Sequence, residues 1–335
     1  MVSRPVAAFA LGPRAHRQAF PEPLLDRLAS IVTIDPGHVI TDFGTPAALD
    51  RLATVEILVS GWGCPRIDRD VLVAAPRLRA VMHAAGTVKG HIDPVVYDRG
   101  VVVSSAAAAN ALPVAEFTIA TMVLGAKRVF SRSRRYAADA SSIARPVPAA
   151  TGLSTSTVGV IGASRIGRLV LERLRGLDVT VLLADPYVSS PEAAGLGAEL
   201  VDLDTLCARS DIVSVHAPAL SQTRGLIDDR RLSLMRDGVL LINTARGSLI
   251  DTGALVRHCA TGRMSAVLDV TEPEPLPAGH PLFDLENVYV TPHLAGAEGR
   301  EVSRLGEFAV SEVERFVRGV PLLGQVEQQH LPFIA

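Results

Sequence analysis

The sequence predicts an α/β protein made of two doubly wound parallel-sheet domains, and three observations carry that prediction. Short apolar runs alternate with helix-like segments, the pattern of βαβ units and a parallel sheet. The alternation comes as two series with a long helical segment between them. The 335 residues also exceed one ordinary core, since domains most often hold roughly 100–150 residues. Two domains imply a cleft, and an active site is expected there.

In the first series, residues 6–11, 31–34, 55–60, 78–84 and 101–104 read as strands. Residues 110–129 carry Val114, Phe117, Ile119, Met122 and Val123 at helical spacing and read as one long helix. Residues 131–156, rich in Ala, Ser and Pro, read as a loop-rich connection. The second series of strands is 157–161, 179–184, 212–215, 239–242, 266–268 and 288–290. A helical pattern of Val302, Leu305, Phe308, Ala309, Val313, Phe316 and Val317 follows the last of them.

Composition narrows the function classes. Apolar residues at 48% and charged residues at 20% are globular proportions, and no apolar run approaches the roughly 20 residues of a membrane span, so a soluble cytoplasmic protein is expected. At the N-terminus Gly12-Pro13-Arg14 ends the apolar stretch before a signal-type segment develops. Cys64, Cys207 and Cys259 are odd in number and widely spaced, which argues against a disulfide framework or a zinc site and for a reducing compartment. A net charge of −2 carries no nucleic-acid footprint, and the local cluster of Lys127, Arg128, Arg132, Arg134 and Arg135 reads as a solvated helix end.

The stretch from Val158 to Gly167 reads as strand, glycine-rich turn and helix. In a dinucleotide fingerprint the first glycine makes the turn, the second admits the pyrophosphate, and the third packs helix on strand. Gly162 and Gly167 fill the first and third roles, whereas Ser164 replaces the second, where its hydroxyl can cap the helix or bind phosphate. Asp185 closes the next strand, near the usual spacing of about 20 residues for the carboxylate that binds the adenosine ribose, and favours NAD over NADP. By itself Asp185-Pro186 reads equally well as a turn.

Three later segments each leave a strand: Asn243-Thr244-Ala245-Arg246-Gly247, the run from Asp269 to Pro275, and Thr291-Pro292-His293. Strand ends of an open α/β sheet face its ligand crevice. An arginine, a carboxylate and a histidine meeting there suit a 2-keto acid reductase. Arg246 would hold the substrate carboxylate by two parallel hydrogen bonds, His293 would exchange the carbonyl proton, and Glu274 would orient and stabilise the imidazolium. Singly, such an arginine is usually a surface residue and such a histidine structural; their joint placement makes the case.

From Gly162 to Gly296 the chain resembles the D-isomer-specific 2-hydroxyacid dehydrogenase family. The matching signatures are His216-Ala217-Pro218 followed by Thr223, Asn243 to Gly247, Asp269 to Pro275, and Thr291 to Gly296. The resemblance implies Arg246, Glu274 and His293 as catalytic residues and Asp269 near the nicotinamide. For NAD it implies Gly162, Ser164, Arg165, Ile166, Gly167, Asp185, His216, Ala217, Pro218, Thr223, Thr244, Ala245, Asp269 and Gly296. It further implies a Rossmann NAD-binding domain over 109–298, a flavodoxin-like substrate domain over 1–108 to which 299–335 returns, and a homodimer formed through the cofactor domain. Asn110 to Glu116 resembles the segment that opens the family's cofactor domain.

One loop departs from the family pattern Gly-x-Gly-x-Asp-x-Ile-Asp. Here it reads Gly86-Thr87-Val88-Lys89-Gly90-His91-Ile92-Asp93, so Val88 and Gly90 replace a glycine and an aspartate. Gly86 and Thr87, with Arg246 and His293, are the expected substrate ligands. His83, Lys89 and Trp62 either help line the pocket or are partly buried or solvated bystanders, and Val88 is expected to alter the backbone approach to the substrate. Nothing in the sequence suggests a metal. Two other readings share the fold: an NAD-sensing, corepressor-like binding protein, and a formate- or phosphite-type dehydrogenase.

Overall fold

The computed structural model describes residues 4–144, 146 and 151–333. The chain divides into two compact units, one running to Ala111 and resuming at Ala297, the other Leu112–Gly296.

The first unit is built on strands β1 (Ala7–Ala10), β2 (Val39–Ile40), β3 (Ile57–Ser60), β4 (Ala80–His83) and β5 (Val102–Ser105), all parallel in the order β2-β1-β3-β4-β5. This is the flavodoxin-like order. Strand residues alternate between two apolar layers: Phe9, Ile57, Val59 and Met82 join one, while Ala8, Leu58, Val81 and Val103 join the other. Helix Val302–Val317 supplies Val302, Ala309, Val310 and Val313 to the first layer. Its Glu312, 1% exposed, accepts hydrogen bonds from the Ser104 hydroxyl (2.6 Å) and from the backbone of Leu323 and Gly324 (3.0 and 2.8 Å). That buried carboxylate ties the helix to β5 and to the segment after it.

The second unit holds β6 (Thr157–Ile161), β7 (Thr180–Ala184), β8 (Glu199–Leu200), β9 (Ile212–Val215), β10 (Leu240–Asn243), β11 (Ser265–Leu268) and β12 (Val288–Val290). All seven are parallel in the order β12-β11-β10-β9-β6-β7-β8, the Rossmann order with one strand added. Two apolar layers cover its faces, one around Leu182, Val213, Leu241 and Leu268, the other around Val158, Val160, Leu183 and Ile242.

Four expectations need correction. Residues 31–34 are not a strand, because Leu24, Leu25, Leu28 and Ile31 continue the helical spacing of Glu22–Ile31; only Thr33 bridges to Val6, and the strand beside β1 is β2. Residues after 128 are not merely a loop, although Lys127, Arg132, Arg134 and Arg135 are exposed as expected. Helix Val129–Ala138 stacks Phe130 on Tyr289, places Arg134 over the same ring and pairs Arg135 with Glu286. Positions 145 and 147–150 of that connection lie outside the described residues. The third concerns apolar length: helix Ala107–Ala126 has 20 residues and mean hydropathy 1.4 in its most apolar window, enough to cross a membrane by length and composition. In this structure its Ala115 and Met122 pack into the second unit's core. The fourth is Val88, which is buried in an apolar layer of the first unit.

Candidate active site

The glycine turn lies at the carboxyl end of β6, where the strand order reverses between β6 and β9 and open α/β sheets take their ligands. Gly162 has φ +92°, and a Cβ on it would stand 2.8 Å from the Ala217 nitrogen. A Cβ on Gly167 would overlap the Gly162 carbonyl. Glycine is therefore required at both positions. Ser164 caps helix Arg165–Leu174, its hydroxyl accepting from Gly167 N–H (3.3 Å). Arg165 and Ile166 follow as the first two helical residues, whose N–H groups point out of the helix end and suit a phosphate.

Asp185, half-buried after β7, accepts from Ala163 N–H (2.7 Å) and Tyr187 N–H (2.8 Å). A carboxylate has about four acceptor sites, so ribose hydroxyls can still be received. His216 gives its backbone to the wall against Gly162, while its ring is buried against the Ser214 hydroxyl (2.8 Å) and desolvation pushes its pKa down to about 4. Thr223 closes the loop after Ala217-Pro218, donating to Pro218 O (2.6 Å) and accepting from Leu220 N–H (2.8 Å). Thr244 pairs with the Thr118 hydroxyl (3.0 Å). A closed glycine turn, an outward-pointing helix end and a carboxylate one strand away fit a dinucleotide.

Beyond β9 in the same sheet, the carboxyl ends of β10, β11 and β12 bring the predicted chemistry together. Asn243 shapes the first loop, its amide donating to Arg246 O (2.8 Å) and its oxygen accepting from Ala245 N–H (3.1 Å). A Cβ on Gly247 would overlap the Thr271 backbone, so only glycine lets the Arg246 loop lie against the 269–275 loop. Burial lowers the Arg246 pKa and the nearby Glu274 charge works against that shift. Glu274 Oε1 lies 2.5 Å from His293 Nδ1, and both side chains are about half exposed.

His293 has φ +53°, in the left-handed region. Its N–H donates to Asp269 O and Thr291 O, both at 3.0 Å. Asp269, 2% exposed, takes the Thr291 hydroxyl (2.6 Å) and Leu294 N–H (2.9 Å) on one carboxylate oxygen and Ala295 N–H (3.0 Å) on the other. Gly296 ends this turn and the unit.

In the first unit, the loop after β4 differs from expectation. Val88 is fully buried in the apolar layer with Val81 and Val96, so its side chain faces the core and not a ligand. His83 is buried too: Nδ1 meets the Ser60 hydroxyl (2.9 Å), the ring also bonds the Thr87 backbone, and desolvation pushes its pKa to about 3. It therefore braces the loop from beneath and does not line a pocket. Thr87 Oγ1 accepts from Lys89 N–H (3.1 Å), Gly86 lies against the Asn110 side chain, Gly90 is exposed with φ +79°, and Trp62 is 42% exposed.

The side chains of Asn243, Ser214 and Thr118 also shape the site, beyond the residues expected from the sequence. For Asn243 the signal was present, since Asn at a strand end readily bonds the backbone of the turn that follows. Ser214 and Thr118 gave none, because their partners depend on the tertiary fold.

Residues 120–295 match the family described as D-isomer specific 2-hydroxyacid dehydrogenase, NAD binding domain. The group that suits the glycine turn is thus NAD. A D-3-phosphoglycerate dehydrogenase of Archaeoglobus fulgidus is 34% identical over 263 residues, which cover 78% of this chain and 49% of that protein. The chain therefore spans about half the length of that relative. A glyoxylate reductase of Thermofilum pendens is 35% identical over 260 residues, 76% of each chain. Among solved structures, the TT0316 protein from Thermus thermophilus superposes with TM-score 0.75 at 30% identity, covering 96% of this chain and 99% of that one. Given the matched domain, these relatives and the two parallel sheets, the chain belongs to the D-isomer specific 2-hydroxyacid dehydrogenase family.

Proposed function

We propose that the protein is an NAD-dependent oxidoreductase that interconverts a small 2-keto acid and the corresponding D-2-hydroxy acid. The observation that carries this reading is the 2.5 Å pair of His293 Nδ1 and Glu274 Oε1 beside the Arg246 loop. With Nδ1 committed to Glu274, Nε2 is the nitrogen that exchanges a proton with substrate. In reduction the imidazolium, stabilised by Glu274, gives its Nε2 proton to the carbonyl oxygen and is left neutral. In oxidation Nε2 takes the hydroxyl proton. Arg246 clamps the substrate carboxylate through two parallel charged hydrogen bonds and fixes which face of C2 is presented. Bound NAD supplies or accepts the hydride at C2.

In this reading the first unit binds substrate, with Gly86 and Thr87 as ligands. The enzyme works in the cytoplasm as a homodimer, for which Leu112, Leu124, Val129 and Tyr136, exposed on the helices from 107 to 138, offer apolar surface.

The test follows NADH oxidation by absorbance with glyoxylate, hydroxypyruvate and phenylpyruvate, using wild type and His293→Ala. Turnover of at least one keto acid is expected, with a loss of about 10²–10⁴-fold in kcat for the variant and NADH affinity retained. Tight NADH binding by a wild type that turns over none of them would sink the proposal.

A further inference from the structure

In a dinucleotide fold a carboxylate after the second strand receives the ribose 2′-hydroxyl and selects NAD, whereas an arginine nearby admits the 2′-phosphate of NADP. This chain has both groups, and one residue of the glycine turn joins them. Ala163, between Gly162 and Ser164, gives its N–H to Asp185 Oδ2 (2.7 Å) and accepts Arg168 Nε on its carbonyl (2.9 Å). Two hydrogen bonds and the N-to-O span of one residue keep Arg168 Nε within about 9 Å of that carboxylate. That is inside the Debye length of about 10 Å at moderate salt, so the two charges act on the same ligand group. Arg168 stands in the first turn of helix Arg165–Leu174 with its side chain 44% exposed, so a nucleotide seated on Asp185 can meet it.

The guanidinium is already engaged by a third charge. Its Nη2 donates to Glu192 Oε1 (2.7 Å), and Glu192 lies in helix Ser190–Gly195, a short loop after Asp185. The Glu192 backbone is fixed in turn, its N–H donating to Ser189 Oγ (3.4 Å). Both partners of the Arg168–Glu192 pair are well exposed, and an exposed pair adds little to stability, so its consequence lies in which anion Arg168 can meet. Asp185 and Glu192 together outweigh Arg168 by one negative charge. A neutral 2′-hydroxyl is indifferent to that excess, but a phosphate of about −1.5 to −2 is repelled by it.

We infer that Glu192 is a specificity-determining residue: by holding Arg168 it withholds the cation that a 2′-phosphate needs, and so reinforces Asp185 in selecting NAD against NADP. The inference rests on the reading of Asp185 as the ribose ligand and is independent of the keto acid chemistry.

The test is binding of NADH and NADPH by fluorescence titration, at low and at physiological salt, to wild type, Glu192→Gln, Arg168→Ala and the double variant. Wild type should bind NADPH at least about 10-fold more weakly than NADH. Glu192→Gln should tighten NADPH about 3–10-fold and leave NADH within about 2-fold, with Tm within about 2 °C of wild type. The gain should shrink at the higher salt and vanish when Arg168→Ala is added.

An equal change for both nucleotides in Glu192→Gln, or no change for either, would overturn the inference. A gain for NADPH that survives Arg168→Ala would overturn it too, because Glu192 would then act without the arginine. So would a wild type that binds the two nucleotides equally well. A wild type that binds NADH but turns over no keto acid fails the proposed function instead, and the four titrations still decide the role of Glu192.

Discussion

The turn at 162–167 and the turn at 291–295 follow strands of the same sheet, β6 and β12, and are held by opposite means. The first is closed by what is missing: no atom fits on Gly167 beside the Gly162 carbonyl, nor on Gly162 beside Ala217. The second is closed by what is present, a buried carboxylate that receives a hydroxyl and two backbone N–H groups. The Arg246 loop combines the two, with Gly247 packed on Thr271 and Asn243 as an amide that donates once and accepts once. A sterically closed turn tolerates no added atom. A polar turn tolerates the same shape but no exchange of donor for acceptor.

The harshest way to break this contrast is Gly167→Ala. Its Cβ would meet backbone, which cannot rotate away as a side chain can, so the cost should exceed the usual range of about 1–3 kcal/mol for overpacking. A Tm loss of about 6–12 °C and loss of NADH binding are expected, read by thermal melting and fluorescence titration. A variant that melts and binds like wild type would show that the turn is not sterically closed.

The same contrast explains what was legible in the sequence. The glycine turn could be read because its requirement falls within six residues and on a residue type that only special backbone demands. The hydrogen bonds of Asp269 could not, since its partners lie 22 to 26 positions away and include plain backbone N–H groups. Strands β2 and β8 escaped because two residues show no period. The helix Glu22–Ile31 runs to its final isoleucine and so lent a β-branched start to the false strand at 31–34. Val88 stands out in the sequence as a departure from the family pattern, but which way a side chain faces is set by tertiary packing: Val88 turns into the core, and His83 lies beneath the loop.

Acid offers a milder probe, because the residue behind the glycine turn titrates. The Cβ of His216 sits 3.4 Å from where a Gly167 Cβ would stand, and burial lowers the His216 pKa from 6.5 to about 4. The folded state thus favours the neutral ring, and between these two values the unfolded chain binds more protons. His216's contribution to stability is complete above pH 6.5 and is lost as pH falls towards 4. From pH 6.5 to 5 this amounts to about 2 kcal/mol, or roughly 4–8 °C in Tm. His83, lowered to about 3, adds a loss of the same sign in the first unit. Melting curves against pH for wild type and His216→Gln test this: the variant should show the shallower acid slope, and equal slopes would remove His216 as the cause.

The smallest expected effect is at Ser164, where the two modes of closure meet. The sterically closed turn carries one polar device, a hydroxyl that accepts from Gly167 N–H at 3.3 Å. If it acts only as a helix cap, Ser164→Gly should cost a few tenths of a kcal/mol, since glycine is itself a tolerated N-cap. Tm would then move by about 1 °C, and NADH Kd would stay within about 3-fold, because the freed Gly167 N–H can serve phosphate in place of the hydroxyl. If NADH binding instead weakens about 10-fold while Tm holds, the hydroxyl is itself a phosphate ligand. The turn would then be closed by its glycines but completed by a side chain, and the serine would be a substitute for the usual second glycine that brings its own hydrogen bond to the cofactor.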